Sequence, residues 1–288
     1  MKKNHLSIGF IGAGRVGCTL GRYFYENHFP LSGYYSKSYN SACDAADFTC
    51  SKSFSTIKEL VKESNIIFVT VPDSSIYDTY LQLKQYELKD KILCHCSGAL
   101  SAEVFEGLDV IGGYGYSIHP ALAISDKKNS YKEMSKAFFT IEGSDVKIHL
   151  IKEMIENLGN SYRIISAENK CKYHTSLVMS SNLVIGLYHI ALGLLEECGF
   201  SDLTANEVLK SLFLNNAESL CENGCIRSLT GPVDRNDIST VEKHLSVLSD
   251  YSYLNVYKLL SSEVLKIAKQ KYPSRDYDKL EKLLNTES

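Results

Sequence analysis

The sequence predicts an α/β fold: a doubly wound, parallel sheet in the first part, followed by an all-α second part. Three observations predict it. Apolar runs of strand length alternate with helical patterns as far as Ser166. A glycine-rich run, Gly12-Ala13-Gly14-Arg15-Val16-Gly17, joins the first of these strands to the first helix. Beyond Ala167 only helical periodicity persists.

In chain order, Ser7 to Ile11 reads as a buried strand, Val16 to Asn27 as a helix and Leu31 to Tyr35 as a second strand. Ser41 to Ala46 reads as a short helix, Phe48 to Cys50 as a short strand and Thr56 to Glu63 as a helix. Ile66 to Val71 is a continuous apolar strand that Pro72 stops, because proline has no amide for the ladder. Ser74 to Gln85 is helical, and Lys91 to Cys96, Asp109 to Ile118 and Ala137 to Ile141 are further strands. Val146 to Leu158 is an amphipathic helix, and Tyr162 to Ile165 a last strand. Unbroken apolar strands separated by helices predict a parallel sheet covered on both faces. The helical part comprises Asn169 to Cys198, Thr204 to Glu222, Ser239 to Asp250 and Tyr253 to Gln270, with Gly199 as a C-cap and Ser201-Asp202 as a fresh start. The predicted domains are residues 1–166 and 167–288, with no flexible linker between them.

Composition narrows the function classes. The 288 residues carry a formal net charge of −3, which gives no footprint for nucleic acid. No uninterrupted run of eighteen apolar residues occurs, so no membrane-spanning helix is expected. The apolar run after the basic start Met1 to His5 is too short for a signal peptide, so a cytoplasmic location is expected. Nine cysteines at irregular spacings do not make a disulfide framework. Cys94 and Cys96 fall on one face of a strand and His95 on the other, which does not assemble a metal site, and none is expected.

The glycine run supplies the first chemistry. Gly12 permits a tight turn, Gly14 lets backbone amides approach a pyrophosphate, and Gly17 lets the helix lie close to the sheet. The free amides and dipole at that helix start favour an anion. This is the phosphate loop of a Rossmann domain, with Gly12, Ala13, Gly14, Arg15 and Val16 as diphosphate contacts. The second strand runs out into Ser36-Lys37-Ser38, with no carboxylate to hold a ribose 2′-hydroxyl. Two hydroxyls and a cation suit a 2′-phosphate, so NADP is expected over NAD. Val71 and Pro72 end one strand and Ser97-Gly98 follow another; both should border the ligand crevice at the strand ends.

Candidate catalytic residues lie on the helix after Ala167. At about 100° per residue, Lys170, His174 and Ser181 fall within roughly 40° of one another, while Asn182 lies on a neighbouring face. Lys170 and His174 are one turn apart and can converge on one group. Carbonyl reduction needs this, because a positioned acid must give the oxygen a proton or polarise it. Lys172 points about 200° away from Lys170. His119 could contact substrate, and so could Ser97 at its strand end, although a serine there often caps the next turn. Arg235, in the polar stretch Leu229 to Asp237, could clamp a carboxylate, cap a helix or pair with Asp237. Leu183, Ile185, Leu187, Leu194 and Leu195 form apolar faces that would suit a homodimer or fill the chain's own core.

Taken together, Gly12 to Gly17, Tyr35-Ser36-Lys37-Ser38, His95-Cys96-Ser97-Gly98-Ala99, His119-Pro120, Lys170 to His174 with Ser181-Asn182, and Thr230 to Arg235 resemble one family. Its proteins join an N-terminal Rossmann-like domain to a C-terminal domain long catalogued as of unknown function. They are related to 6-phosphogluconate-dehydrogenase-like and pyrroline-carboxylate-reductase-like enzymes. The resemblance spans nearly the whole chain. Some members are alternative ketopantoate reductases, so the resemblance implies NADPH-dependent reduction of 2-dehydropantoate in pantothenate and coenzyme A synthesis. Lys170 would match the family's helix lysine, His174 its neighbouring histidine and Asn182 its later asparagine. This chain reads Arg235-Asn236-Asp237 where the family commonly reads Arg-Gly-Asp, and Lys37 where arginine is more usual. An imine reductase of the pyrroline-5-carboxylate type and a non-catalytic dinucleotide-binding protein are the alternatives.

Overall fold

The computed structural model describes residues 6–285, so the basic start at Met1 to His5 lies outside the described residues. Two compact units divide the chain between Ser181 and Asn182. The sequence placed the division after Ser166; the helix bearing Lys170 therefore belongs to the first unit and is held there by contacts that periodicity does not reveal.

The first unit runs β1 (Ile8–Ile11), α1 (Arg15–Glu26), β2 (Leu31–Tyr35), α2 (Tyr39–Phe48), β3 (Lys52–Phe54), α3 (Ile57–Glu63), β4 (Ile66–Val69), α4 (Ile76–Leu83) and β5 (Ile92–His95). It continues through β6 (Tyr114–Ala121), β7 (Phe138–Gly143), α5 (Ile148–Asn157), β8 (Tyr162–Ile164) and α6 (Lys170–Ser180). The eight strands form one sheet in the order β3-β2-β1-β4-β5-β6-β7-β8. All pairs are parallel except β6 with β7. Alternate residues of β4 show that both faces are covered. Ile66 and Phe68 join the cluster around Phe10, Phe24, Tyr34 and Tyr116, while Ile67 and Val69 join the one around Leu60, Leu93 and Phe105. Phe10 stacks on Tyr34 at 5.0 Å and on Phe68 at 5.5 Å between ring centroids, which fixes the strands that carry the glycine loop. A capping box at Thr56 and Glu59 starts α3.

Several expectations shift. Phe48 closes α2 instead of opening a strand, and the short strand lies at Lys52–Phe54. Asp109 to Gly112 form turns before β6, with Gly112 at φ 79°. The strand instead extends forward through His119 and Pro120, because β7 pairs with it antiparallel.

The second unit is helical: α7 (Asn182–Glu197), α8 (Asp202–Ser228, kinked at Gly224 with φ 71° and ψ 173°), α9 (Pro232–Arg235), α10 (Ile238–Val247), α11 (Tyr251–Lys271) and α12 (Asp278–Asn285). Its core gathers Val233, Val241, Leu265, Ala268, Tyr277, Leu280 and Leu284. Gly199 takes φ 88° after α7, and Ser201 caps α8 through the Thr204 amide, as the sequence indicates. Asn236 sits left-handed at φ 58° and ψ 39°, where glycine is freest and asparagine is tolerated, and its amide donates to the Asp276 carbonyl at 2.9 Å. The long helix expected from Asn169 to Cys198 is broken at Ser181, whose φ −130° and ψ −80° leave the helical region. Even so, the run Ala167–Glu197 reaches a mean hydropathy of 1.6 over eighteen residues, enough to cross a bilayer by length and composition alone. Counting uninterrupted apolar residues misses this, because serine, glycine, histidine and tyrosine weigh little against so many leucines and isoleucines.

Candidate active site

The glycine loop follows β1 and is built by steric exclusion. Gly12 has φ 107°, and a Cβ there would lie 2.7 Å from the Thr70 carbonyl oxygen. A Cβ at Gly17 would lie 2.5 Å from both the Gly12 oxygen and Thr70 Oγ1. Thr70 in turn donates to the Gly12 carbonyl at 2.9 Å, which ties the loop to the end of β4. Gly14 is the exception, since a Cβ there would meet nothing within 4 Å. It begins α1 with no side-chain cap and no acidic residue in the first turn, so the leading amides are left for an outside acceptor. The open space above Gly14, the helix dipole and a first turn with no acidic residue fit a diphosphate. Arg15 is exposed beside it, with a guanidinium N–H 3.4 Å from the Ser125 carbonyl. At the end of β2, Ser36 is half-buried, and Lys37 and Ser38 are exposed. Ser38 spends its hydroxyl on capping α2, where it accepts from the Ser41 amide at 3.3 Å.

Two strands along the same sheet edge, beyond β4, the end of β5 meets α6. Lys170 is 1% exposed, and its Nζ donates to the Ser97 carbonyl at 2.9 Å and to Ser117 Oγ at 2.7 Å. No carboxylate lies within ion-pair distance of it among the described residues. Burial pushes its pKa down to about 8, against the opposing pull of Glu142, Cys96 and Asp73. Glu142 stands across from Ser117 in the β6–β7 pair and accepts from the Ala102 amide at 2.6 Å. Burial raises its carboxyl pKa, while that amide and Lys170 oppose the rise.

Ser97 organises this corner. Its Oγ donates to Asp73 Oδ2 at 2.6 Å and accepts from the Ala99 and Leu100 amides. The side chain is thus a turn cap tied to Asp73, and it is the carbonyl that reaches Lys170. The Ser97 amide donates to His95 Nδ1 at 3.2 Å, and His95 Nε2 lies 3.1 Å from the Ser101 carbonyl. That pairing fixes His95 as the neutral Nε2–H tautomer, in keeping with burial lowering its pKa to about 4.

His174 packs over Gly98. A Cβ at Gly98 would come within 2.4 Å of His174 Cδ2 and 3.0 Å of His119 Nε2, so glycine there is what lets the two rings close in. Those rings meet edge to face with centroids 6.2 Å apart. His119 Nδ1 lies 2.9 Å from the Tyr173 hydroxyl. Burial first, then the charges of Lys170, His174 and His95, lower the His119 pKa to about 4. The cluster offers one buried cation and one neutral imidazole around the Ser97–Gly98 peptide, at the crevice beyond the strand ends where open α/β sheets take their ligands. Such a pair can polarise and protonate an oxygen.

Of the residues singled out from sequence, Lys170, His174, Ser97, Gly98 and His119 come together in the first unit. Val71 is half-buried and Pro72 exposed at the end of β4. Asn182 opens α7 and exposed Arg235 closes α9, both in the second unit. Ser117, Asp73, Glu142 and Tyr173 were not anticipated. Tyr173 alone had a local signal, as it lies between Lys170 and His174. Cys94 and Cys96 pack on one face and His95 on the other, against Phe105 at 5.5 Å, and no group of three or more histidine, cysteine or acidic residues could hold a metal among the described residues.

Residues 1–120 match the Rossmann-like domain, and residues 137–264 match a domain of unknown function, DUF2520. The chain therefore joins a Rossmann-like N-terminal domain to a DUF2520 region. Among solved structures it resembles protein TM1727 of Thermotoga maritima, with a TM-score of 0.72 and 26% identity over 90% of this chain and 98% of that one. It shares a fold with a Coxiella burnetii pyrroline-5-carboxylate reductase, at a TM-score of 0.58 and 13% identity over 93% and 99% of the two chains. The same holds for a reductive aminase of Aspergillus terreus in complex with NADPH, at 0.63 and 11% over 98% and 93%. No curated protein sequence matches the chain significantly.

Proposed function

We propose that this protein is an NADPH-dependent oxidoreductase that reduces the carbonyl of a small 2-oxo acid, with 2-dehydropantoate the first substrate to test and pantoate its product. The observation that carries the reading is Lys170: a buried ammonium held by two neutral acceptors, in the same unit as a glycine loop whose open position is Gly14. Structural neighbours that include an NADPH complex and a pyrroline-5-carboxylate reductase support the class. The family resemblance supports the substrate.

When bound, NADPH supplies a hydride to the carbonyl carbon. Gly12, Ala13, Gly14, Arg15 and Val16 would hold its diphosphate. Ser36, Lys37 and Ser38 would receive the 2′-phosphate, while Val71, Pro72 and Gly98 border the crevice. Ser97 and Ser117 hold the Lys170 ammonium in place. Lys170 gives its proton to the oxygen as negative charge develops there, and the dry surroundings strengthen that interaction. His119 and His174 flank the same oxygen.

A second reading is imine reduction, favoured by the names of the structural neighbours. An iminium arrives already protonated, so it needs no acid at Lys170. Following NADPH absorbance against 2-dehydropantoate, pyrroline-5-carboxylate and a panel of 2-oxo acids decides between them. Turnover of the oxo acids supports the first reading; turnover of the imine alone replaces it.

The same proposal includes a cytoplasmic homodimer formed through the helical unit. Helix α7 has no buried residue and exposes Leu183, Ile185 and Leu187, and α8 exposes Leu203, Leu212 and Phe213. Charged Glu207 and Lys210 interrupt α8, which suits a protein partner better than lipid. Sedimentation at micromolar concentration tests it: a monomer without detergent contradicts the dimer.

A further inference from the structure

Resting on the proposed reduction site, we infer that Glu142 is a positioning residue: it is the buried counter-charge that keeps the Lys170 ammonium protonated at neutral pH, acting across Ser117. Three observations place it. Ser117 Oγ accepts from Lys170 Nζ at 2.7 Å. Ser117 and Glu142 are direct partners in the antiparallel β6–β7 pair, so their side chains leave the sheet on the same face with Cβ atoms about 5 Å apart. Glu142 is 6% exposed and Lys170 1%, so little water screens the interval between them. An ammonium is costly to bury beside neutral acceptors alone, and a carboxylate one side chain away offsets that cost without touching it.

The ionised form of Glu142 is favoured by a hydrogen bond whose direction is fixed. The Ala102 amide can only donate, and it reaches Glu142 Oε2 at 2.6 Å. Glu142 also lines a cleft with Glu103, Phe105, Gly115 and Ser144, so the carboxylate is not sealed in apolar packing. Burial raises its pKa, with Glu103 and Glu168 adding to the rise, while the Ala102 amide and Lys170 oppose it. The influence is mutual. Burial lowers the Lys170 pKa, and Glu142 is first among the groups that oppose that fall.

The other groups that face Lys170 do not replace Glu142. Burial pushes the Cys96 thiol up to about 12 and holds His95 and His119 down at about 4, so all three are neutral at neutral pH. The Tyr173 ring lies 5.8 Å from Nζ, and burial raises its hydroxyl pKa, so it carries no charge either. His174, one turn along α6, offers no negative charge. Asp73 is a carboxylate, but it is exposed, and it accepts from Ser97 Oγ at 2.6 Å, so solvent screens it. Among the described residues the buried carboxylates are Glu142 and Asp234, and Asp234 pairs with Lys271 in the second unit. Glu142 acts only through Lys170.

Carbon-13 NMR of the lysine ε-carbons in the intact protein, without ligand and over a range of pH, tests this, with Lys170→Met assigning the resonance. Glu142→Gln keeps an acceptor for the Ala102 amide and removes the charge, and should move the Lys170 titration down by roughly one pH unit or more. Glu142→Asp keeps the charge and should leave that titration closer to wild type. In kinetics with the reducible substrate, the alkaline limb of kcat should move down by the same interval in Glu142→Gln, with little change in KM for NADPH. An unchanged Lys170 titration in a folded Glu142→Gln overturns the inference, and so does an equal shift in Glu142→Asp. The NMR result stands whether or not any oxo acid is turned over, so it separates failure of the counter-charge from failure of the proposed reaction.

Discussion

Lys170 reaches back 73 positions in the chain to give a hydrogen bond to the Ser97 carbonyl, and this bond seats the ammonium at the end of β5. The Ser97 side chain is meanwhile spent on Asp73 and two turn amides, so the carbonyl is aimed by a rigid turn. Replacing Lys170 with methionine keeps length and removes the donor. The oxo-acid rate should fall by about 10²–10⁴-fold, while NADPH affinity changes little. Steady-state kinetics with a parallel binding titration reads both. An unchanged rate on an oxo acid would assign the proton to another group.

Protonation sets the pH dependence. In the proposed reaction the active form carries the Lys170 proton, so the rate should fall as pH rises through about 8. Stability runs the other way in that range. Between about 8 and the ordinary value of 10.5 the unfolded chain holds a proton that the folded chain has released, so stability rises with pH there. His95 and His119 act in acid. Their folded pKa values of about 4 lie below the ordinary 6.5, so their contribution is complete above 6.5 and is lost as pH falls towards 4. Each shift corresponds to roughly 3 kcal/mol. Denaturant titrations at a series of pH values should show both limbs.

Gly12 and Gly14 make opposite predictions. Gly12→Ala forces a side chain into φ 107° and against Thr70, and should cost about 1–3 kcal/mol from the backbone alone. Gly14→Ala meets nothing within the protein and should melt like wild type, yet weaken dinucleotide binding. Equal affinity in a stable Gly14→Ala would mean that the open space is not where the diphosphate lies.

Lys37 is the exposed cation after β2. Lys37→Ala should weaken NADPH binding by about tenfold and leave NADH nearly unaffected, because only the 2′-phosphate sees that charge. Equal losses for both nucleotides would remove Lys37 from the 2′-phosphate site.

The sequence was most legible where chemistry is local. The loop from Gly12 to Gly17 is bounded by its own strand and helix, so its context is contained in about twenty consecutive residues. The Lys170–His174 spacing is likewise one helical turn. What escaped is what strand pairing brings together. Ser117 enters the site because β6 pairs beside His95 of β5, and Glu142 because β7 turns back antiparallel along β6, and no short pattern announces either register. Asp73 enters through a single serine hydroxyl. The break at Ser181 carries no proline or glycine to announce it, and the unit boundary falls there, past Lys170.

The central claim is that the amides at Gly14 and the cation at Lys37 hold a reduced nicotinamide dinucleotide. Isothermal titration of the purified protein with NADPH and with NADH tests it most directly. Saturable heat with NADPH, at least tenfold tighter than with NADH, is the predicted result. No heat and no thermal shift with either nucleotide would contradict it.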